Sequence, residues 1–224
     1  MEHQANPSDL TRHTLGEIAA NIPGATRVFR EYDLDFCCGG SATLDSAARE
    51  RGIDPAEVQR QLAALSSGET ADSDMDTGAL VDHILTRYHH MHRKELPELI
   101  RLALKVESVH GSHPEVPAGL GGALEEIQQT LDAHMHDEEV VLFPYAKGEI
   151  RDLSGEVFTQ LEQDHRDHGE TLRKVEMIAN GFRPPRDACR TWQALYAGTA
   201  KFVNDVREHV HLENNVLFPR LRMH

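Results

Sequence analysis

Four histidines and two glutamates recur at spacings that suit a metal ion. His134 and Glu138 stand four residues apart, as do His209 and Glu213, so on a helix each pair leaves one face a turn apart and can grip one ion or span two. The two pairs belong to an internal repeat. The eleven residues from His134 to Pro144 match those from His209 to Pro219 at an offset of 75, and seven are identical. His89 and His165 offer one further imidazole each, followed by His92 and His168, and these two His-x-x-His pairs repeat at an offset of 76. Imidazole with carboxylate suits iron, manganese or zinc, while the scarcity of thiolate argues against copper(I) or a cluster. Two carboxylates that each touch two ions would hold a binuclear centre with open coordination positions, and open positions mean reactivity.

A single histidine on an apolar helix face is more often a hydrogen-bonded core residue than a ligand. Four on facing seams with two carboxylates change that balance, because burying six such groups without compensation costs several kcal/mol, which coordination removes. His92 and His168, one turn along the same seams, either line an outer shell or access channel or are core or rim histidines, the simpler alternative. His136 and His211, two residues past His134 and His209, are expected at the surface, and Asp137 and Glu139 on a solvated face.

Four long helices must carry these residues. One seam runs Leu85, His89, His92, Leu96, Leu99 and a second Leu120, Leu124, Ile127, Leu131, His134, Glu138, Val141. A third runs Phe158, Leu161, His165, His168, Leu172, Val175, Ala179, and a fourth Trp192, Leu195, Thr199, Phe202, Val206, His209, Glu213. Breakers at Gly111–Pro117, Gly148–Ser154 and Gly181–Asp187 supply the connections, and Pro97 is expected to kink or split the first helix. Nothing alternates at period two, so no strands are expected. Two similar helical hairpins related by a pseudo-twofold axis account for the repeat.

Ahead of this bundle, the small and acidic stretch from Ser66 to Asp76 reads as a linker, which divides the chain into an amino-terminal domain (1–68), a linker (69–76) and the bundle (77–224). The amino-terminal part holds short helices at Leu15–Asn21, Ala25–Glu31 and Leu44–Arg51, and one opened by Asp54 and Pro55 and expected to end at Gly68. Its small core leans on a neighbour or a second subunit, which allows a homodimer. Cys37-Cys38-Gly39-Gly40 precedes a helix capped by Ser41 or Thr43. The glycines let the backbone turn and expose the thiols, and a helix amino terminus lowers a thiol's pKa, so Cys37 and Cys38 are redox or iron-handing candidates. The alternative is a buried turn with inert thiols. Cys189 is expected to be structural.

Composition narrows the function classes. With 23 basic against 37 acidic residues, a net charge of -14 and no basic stretch, the chain is a poor nucleic-acid partner. The longest run free of Asp, Glu, Lys and Arg is Thr191–Ala200, ten residues, where a membrane span needs about 20 apolar ones. Met1-Glu2-His3-Gln4 lacks a secretory pattern and three cysteines make no disulfide framework, so the cytoplasm is the expected compartment. Of fifteen histidines, twelve lie between His83 and His211.

Together, the His-x-x-x-Glu pairs, Arg87-Tyr88-His89, the ending Glu213-Asn214-Asn215-Val216-Leu217-Phe218-Pro219 and Cys37-Cys38-Gly39-Gly40 resemble the di-iron repair-of-iron-centres proteins over nearly the whole chain. These are iron-sulfur cluster repair proteins. The resemblance implies an all-α fold, with a hemerythrin-like antiparallel four-helix bundle behind a small helical amino-terminal domain. It implies two iron ions in a non-haem, carboxylate- and oxo-bridged centre. Its ligands would be His89, His134, Glu138, His165, His209 and Glu213, with the two glutamates as bridges. The implied function is repair of clusters damaged by nitric oxide or oxidative stress, through iron donation or nitric oxide reduction, the latter being the enzymatic activity to expect if there is one. Damaged iron-sulfur proteins or a cluster scaffold would be partners, with an electron donor of unknown identity. Oxygen-carrying hemerythrins place a further His and an Asp where Gly169 and Asn214 stand, so reversible oxygen carriage is disfavoured. An oxygen or nitric oxide sensor and a structural zinc bundle are the competing expectations.

Overall fold

The computed structural model describes residues 9–65 and 75–222. Every named element among the described residues is helical, and their one β-type pairing is an isolated bridge between Thr14 and Thr43. No helix among them is long and apolar enough to cross a membrane. By contact the chain divides into two compact units, Met1–Leu80 with Val210–His224, and Val81–His209. The first unit therefore takes in the last fifteen residues of the chain beside the amino-terminal segment. Of the linker expected at 69–76, residues 69–74 lie outside the described residues.

In the first unit, four short helices are set by their caps. Thr14 and Glu17 make a reciprocal capping box for α1 (Leu15–Asn21), and α2 (Ala25–Glu31) starts after Gly24 at a positive φ of 83°. Thr43 caps α3 (Leu44–Glu50), and Asp54 with Pro55 opens α4 (Pro55–Ala63). Leu15, Ile18, Phe29, Phe36, Leu44, Val58 and Leu62 are buried. The last of these helices ends at Ala63, just past Leu62, its final buried residue, and the expected end at Gly68 lies outside the described residues.

The second unit is a four-helix bundle. After α5 (Thr77–Ile84), its long members are α6 (His90–His110), α7 (Leu120–Asp137), α9 (Gly155–Ile178) and α10 (Arg190–Leu212), with the short α8 (Phe143–Ala146) ahead of α9. Buried Leu96, Leu99, Leu124, Ile127, Leu131, Leu161, Leu172, Trp192, Leu195 and Phe202 follow the expected seams. Ion pairs lace the outside: Lys174 to Glu126 joins α9 to α7, Arg207 to Glu176 joins α10 to α9, and Lys201 to Glu95 joins α10 to α6, each at 2.7 Å. Where α6 passes α10, a Cβ on Gly198 would stand 2.8 Å from the Leu99 side chain, so any larger residue there would make that side chain shift. Pro97 does not split α6, which runs unbroken from His90 to His110. Pro97 lies on the exposed side, where the carbonyl it leaves unbonded is solvated.

Candidate metal centre

The helices change their winding where the candidate ligands sit. A π turn, Leu85–His89, ends on His89, a second, Glu138–Leu142, begins on Glu138, and a third, Glu213–Leu217, begins on Glu213. In each, the amide five residues on closes the wide ring: His90 donates to the Leu85 carbonyl, Phe143 to Glu138 and Phe218 to Glu213. Such turns insert one residue into an α-helix and are frequent at functional sites. The second and third fall at equivalent places in the repeat, and α9, which carries His165, has none.

Within the bundle unit, His89, His134, Glu138, His165 and His209 are all essentially inaccessible to solvent. Their rings form two facing pairs, with His89 Nε2 3.1 Å from His209 Nε2 and His134 Nε2 2.9 Å from His165 Nε2. Glu138 lies between the pairs: Oε2 is 3.4 Å from His89 Nε2 and Oε1 is 3.3 Å from His134 Nε2. One carboxylate thus presents one oxygen to each histidine pair, and the donor atoms on either side lie within 4.8 Å of one another. Glu213 is also fully buried and begins the π turn that continues α10 one turn beyond His209.

Partners on the far side of two rings fix their tautomers. Glu139 Oε1 accepts from His89 Nδ1 at 2.8 Å and from Arg93 Nη1 at 2.6 Å, and Asp164 Oδ2 accepts from His134 Nδ1 at 3.3 Å. With Nδ1 carrying the proton, the Nε2 lone pair points inward, the arrangement typical of metal-bound histidine. Burial opposes ionisation of Glu139, but the hydrogen bonds from Arg93 and His89 outweigh it and hold the carboxyl below its usual range. The hydrogen bond from His134 does the same for Asp164.

These groups fit a metal cation. Neither Glu138 oxygen, though buried, accepts a hydrogen bond from the described residues. A dry carboxylate between converging imidazole lone pairs is costly unless a positive ion stands among them.

The chain matches the Hemerythrin HHE cation binding domain over residues 80–221 and a domain of unknown function, DUF542, over residues 11–66. It is 46% identical over 210 residues to the iron-sulfur cluster repair protein YtfE of Edwardsiella ictaluri and 44% identical over 210 residues to that of Dickeya chrysanthemi, covering 92% of this chain and 95% of each relative. The chain belongs to the iron-sulfur cluster repair family. The all-α, hemerythrin-like fold expected from the sequence is the fold observed.

Other members of the candidate set are placed as follows. His92 and His168 are buried: the ring of His92 lies among Tyr88, Phe202 and His209, and that of His168 is 5.1 Å from His134. Burial and the neighbouring imidazoles push the pKa of His92 well down, and burial brings that of His168 down to about 4, so both stay neutral. His136 and Asp137 are exposed, as expected. Glu139 is not simply on a solvated face, since it holds His89, and Asp164 was not singled out from the sequence at all. His211 is no surface residue. It is fully buried in the first unit with its ring edge-on to Phe36 at 5.7 Å, because Phe36 offers a face that water does not reach.

Cys37 and Cys38 are not joined in a disulfide; their sulfurs lie 3.8 Å apart, and Cys37 Sγ is 3.3 Å from Asp35 Oδ1. The expectation of a thiol with a lowered pKa fails at Cys37. It is buried, and the hydrogen bond with Cys38 together with burial pushes its pKa well up. Asp35, Cys37 and Cys38 bring their donor atoms within 4.8 Å of one another.

Proposed function

We propose that this chain is a di-iron protein that restores damaged iron-sulfur clusters, with His89, His134, Glu138, His165, His209 and Glu213 as the iron ligands. The observation that carries this is the position of Glu138, with one oxygen toward each of two histidine pairs. Glu213 is assigned as the second bridge from its repeat equivalence to Glu138, its spacing from His209 and its burial. The relatives named as iron-sulfur cluster repair proteins support the cellular role.

His-rich donors with carboxylate suit ferrous and ferric iron alike. When bound, iron supplies either the metal given to a damaged cluster or the redox equivalents for reducing nitric oxide. The residues of the chain contribute the rest. Glu139 and Asp164 orient His89 and His134, Glu138 ties the two halves together, and Phe143 and Tyr88 pack against the rings of His89 and His209 at 5.3 Å and exclude water there. A carboxylate shared between two ions would be held less tightly by each than a terminal imidazole, and its shift would open a way for iron to leave.

Anaerobic purification followed by metal analysis tests the assignment, with two iron ions per chain expected. Glu138→Leu should lose more iron than His89→Leu, since a bridge serves both ions. One zinc per chain, or equal loss in the two variants, would overturn it. Restoration of activity to a damaged iron-sulfur enzyme by the iron-loaded protein, and not by an equal amount of free ferrous iron, tests the role in repair.

A further inference from the structure

At the other end of the bundle unit lies a second reactive pair. His110 is the last residue of α6, and Cys189 immediately precedes α10, with the Gln193 amide donating to its carbonyl. His110 Nε2 and Cys189 Sγ are 3.2 Å apart. Each is about 20 residues along its helix from the candidate metal ligands His89 and His209, about 30 Å at the helical rise. The pair lines a cavity of about 70 Å³ with Lys105, Val106, Val109 and Thr191. Behind it the His110 ring packs on Trp192 at 5.2 Å, and His113 packs edge-on to the same indole at 5.2 Å while its Nε2 lies 3.4 Å from Asp187. The imidazole is held on Trp192, the sulfur is partly exposed, and the hollow in front of them is large enough for a few atoms only.

We propose that Cys189 and His110 form a thiol site that reacts with small peroxides, independent of the metal centre. A thiol with an imidazole within hydrogen-bond reach is the arrangement of an activated nucleophile. His110 takes the thiol proton as Cys189 Sγ attacks one peroxide oxygen. The O–O bond breaks with its electron pair going to the departing oxygen, which recovers that proton from the imidazolium and leaves as water. Sulfur is oxidised by two electrons to the sulfenic acid, and the peroxide is reduced to water. The cavity size selects hydrogen peroxide, and Val106 and Val109 narrow the space against bulkier hydroperoxides. A structural cysteine, the expectation from sequence, needs neither the histidine nor the hollow.

The test exposes the metal-loaded protein to hydrogen peroxide in the presence of dimedone, and follows labelling of the Cys189 peptide by mass spectrometry. Labelling is expected to be faster than for the same peptide in the unfolded chain. In His110→Gln it should slow by about a hundredfold, the lower end of what positioned acid–base groups contribute. Cumene hydroperoxide should label more slowly than hydrogen peroxide by a similar factor in the native protein. Trp192 fluorescence and an unchanged thermal midpoint verify that His110→Gln keeps this end folded. The comparison of the two peroxides needs no substitution, so it stands even if that variant misfolds. Equal rates for native protein and folded His110→Gln, or for the two peroxides, would overturn the proposal.

Discussion

The side-chain amide of Asn214 donates to the carbonyl of Cys37 at 3.1 Å, across 177 residues of sequence. Its neighbour Asn215 does the same to Phe36 at 3.2 Å. Both asparagines lie in the π turn that opens on Glu213, so within the first unit the turn carrying a candidate ligand is fastened to the loop carrying the two thiols. Two glycines make the approach possible. A Cβ on Gly16 would fall 2.3 Å from Asn215 Oδ1 and one on Gly40 2.4 Å from the same atom.

Gly16→Ala should therefore destabilise the protein by roughly 1–3 kcal/mol through overpacking. The clash is with a side chain, so Gly16→Ala combined with Asn215→Ala should cost less than the sum of the two single changes. Urea midpoints of the four proteins measure this, and strict additivity would show that Asn215 is not what fills the space.

Asp164→Ala and Glu139→Ala remove the acceptors behind His134 and His89 while leaving those imidazoles in place. Each should weaken metal retention about ten- to hundredfold. Competition with a coloured chelator reads this directly. Retention equal to the native protein's would mean that the rings are held by packing alone.

His211 gives a pH signature. Burial pushes its pKa down to about 4, against 6.5 unperturbed. The unfolded chain binds the proton more readily between these values, so the stability His211 contributes is complete above pH 6.5 and falls as the pH drops toward 4. Between pH 7 and pH 5 the native protein should lose roughly 1–2 kcal/mol more than His211→Leu, up to about 1.4 kcal/mol per unit for one proton. Urea titrations at the two pH values make the comparison; identical losses would refute a depressed pKa in the folded state.

For Cys37 and Cys38, the expected division of labour is that replacing both with Ser leaves the proposed bundle iron and its absorption spectrum intact while slowing transfer to a damaged cluster. The candidate ligand set is complete without them. Repair at the native rate would make the thiols structural, and loss of iron would make them ligands.

The long helices, their connections and the histidine and glutamate set were legible because each rests on a period or a repeat within the sequence. Glu139 and Asp164 were not. Each stands beside a candidate ligand of its own helix but serves a histidine of another, 50 and 30 residues away, and only the packing of α6 on α7 and α7 on α9 reveals such pairs. The burial of His211 escapes the sequence for a related reason. Helical spacing placed it away from the ligand face, and the Phe36 loop that covers that side comes from far back in the chain. The π turns leave no mark on composition, since one extra residue in a helix alters hydrogen-bond partners without altering residue types.

Those wide turns also act as single-residue splices. In a continuous α-helix an extra residue would rotate everything after it by about 100°, and the wide ring takes that residue up locally so that the flanking helices keep one phase. Upstream of Glu138 and Glu213 the inward stripe ends in polar donors, and just downstream the inward positions go to Leu142 and Phe143 and to Leu217 and Phe218, all buried. Winding either turn as ordinary α-helix with all its residues kept would swing its Leu-Phe-Pro plug off axis, whereas deleting one residue, Val141 for example, would restore an ordinary helix with the hydrophobic stopper after the glutamate still facing inward.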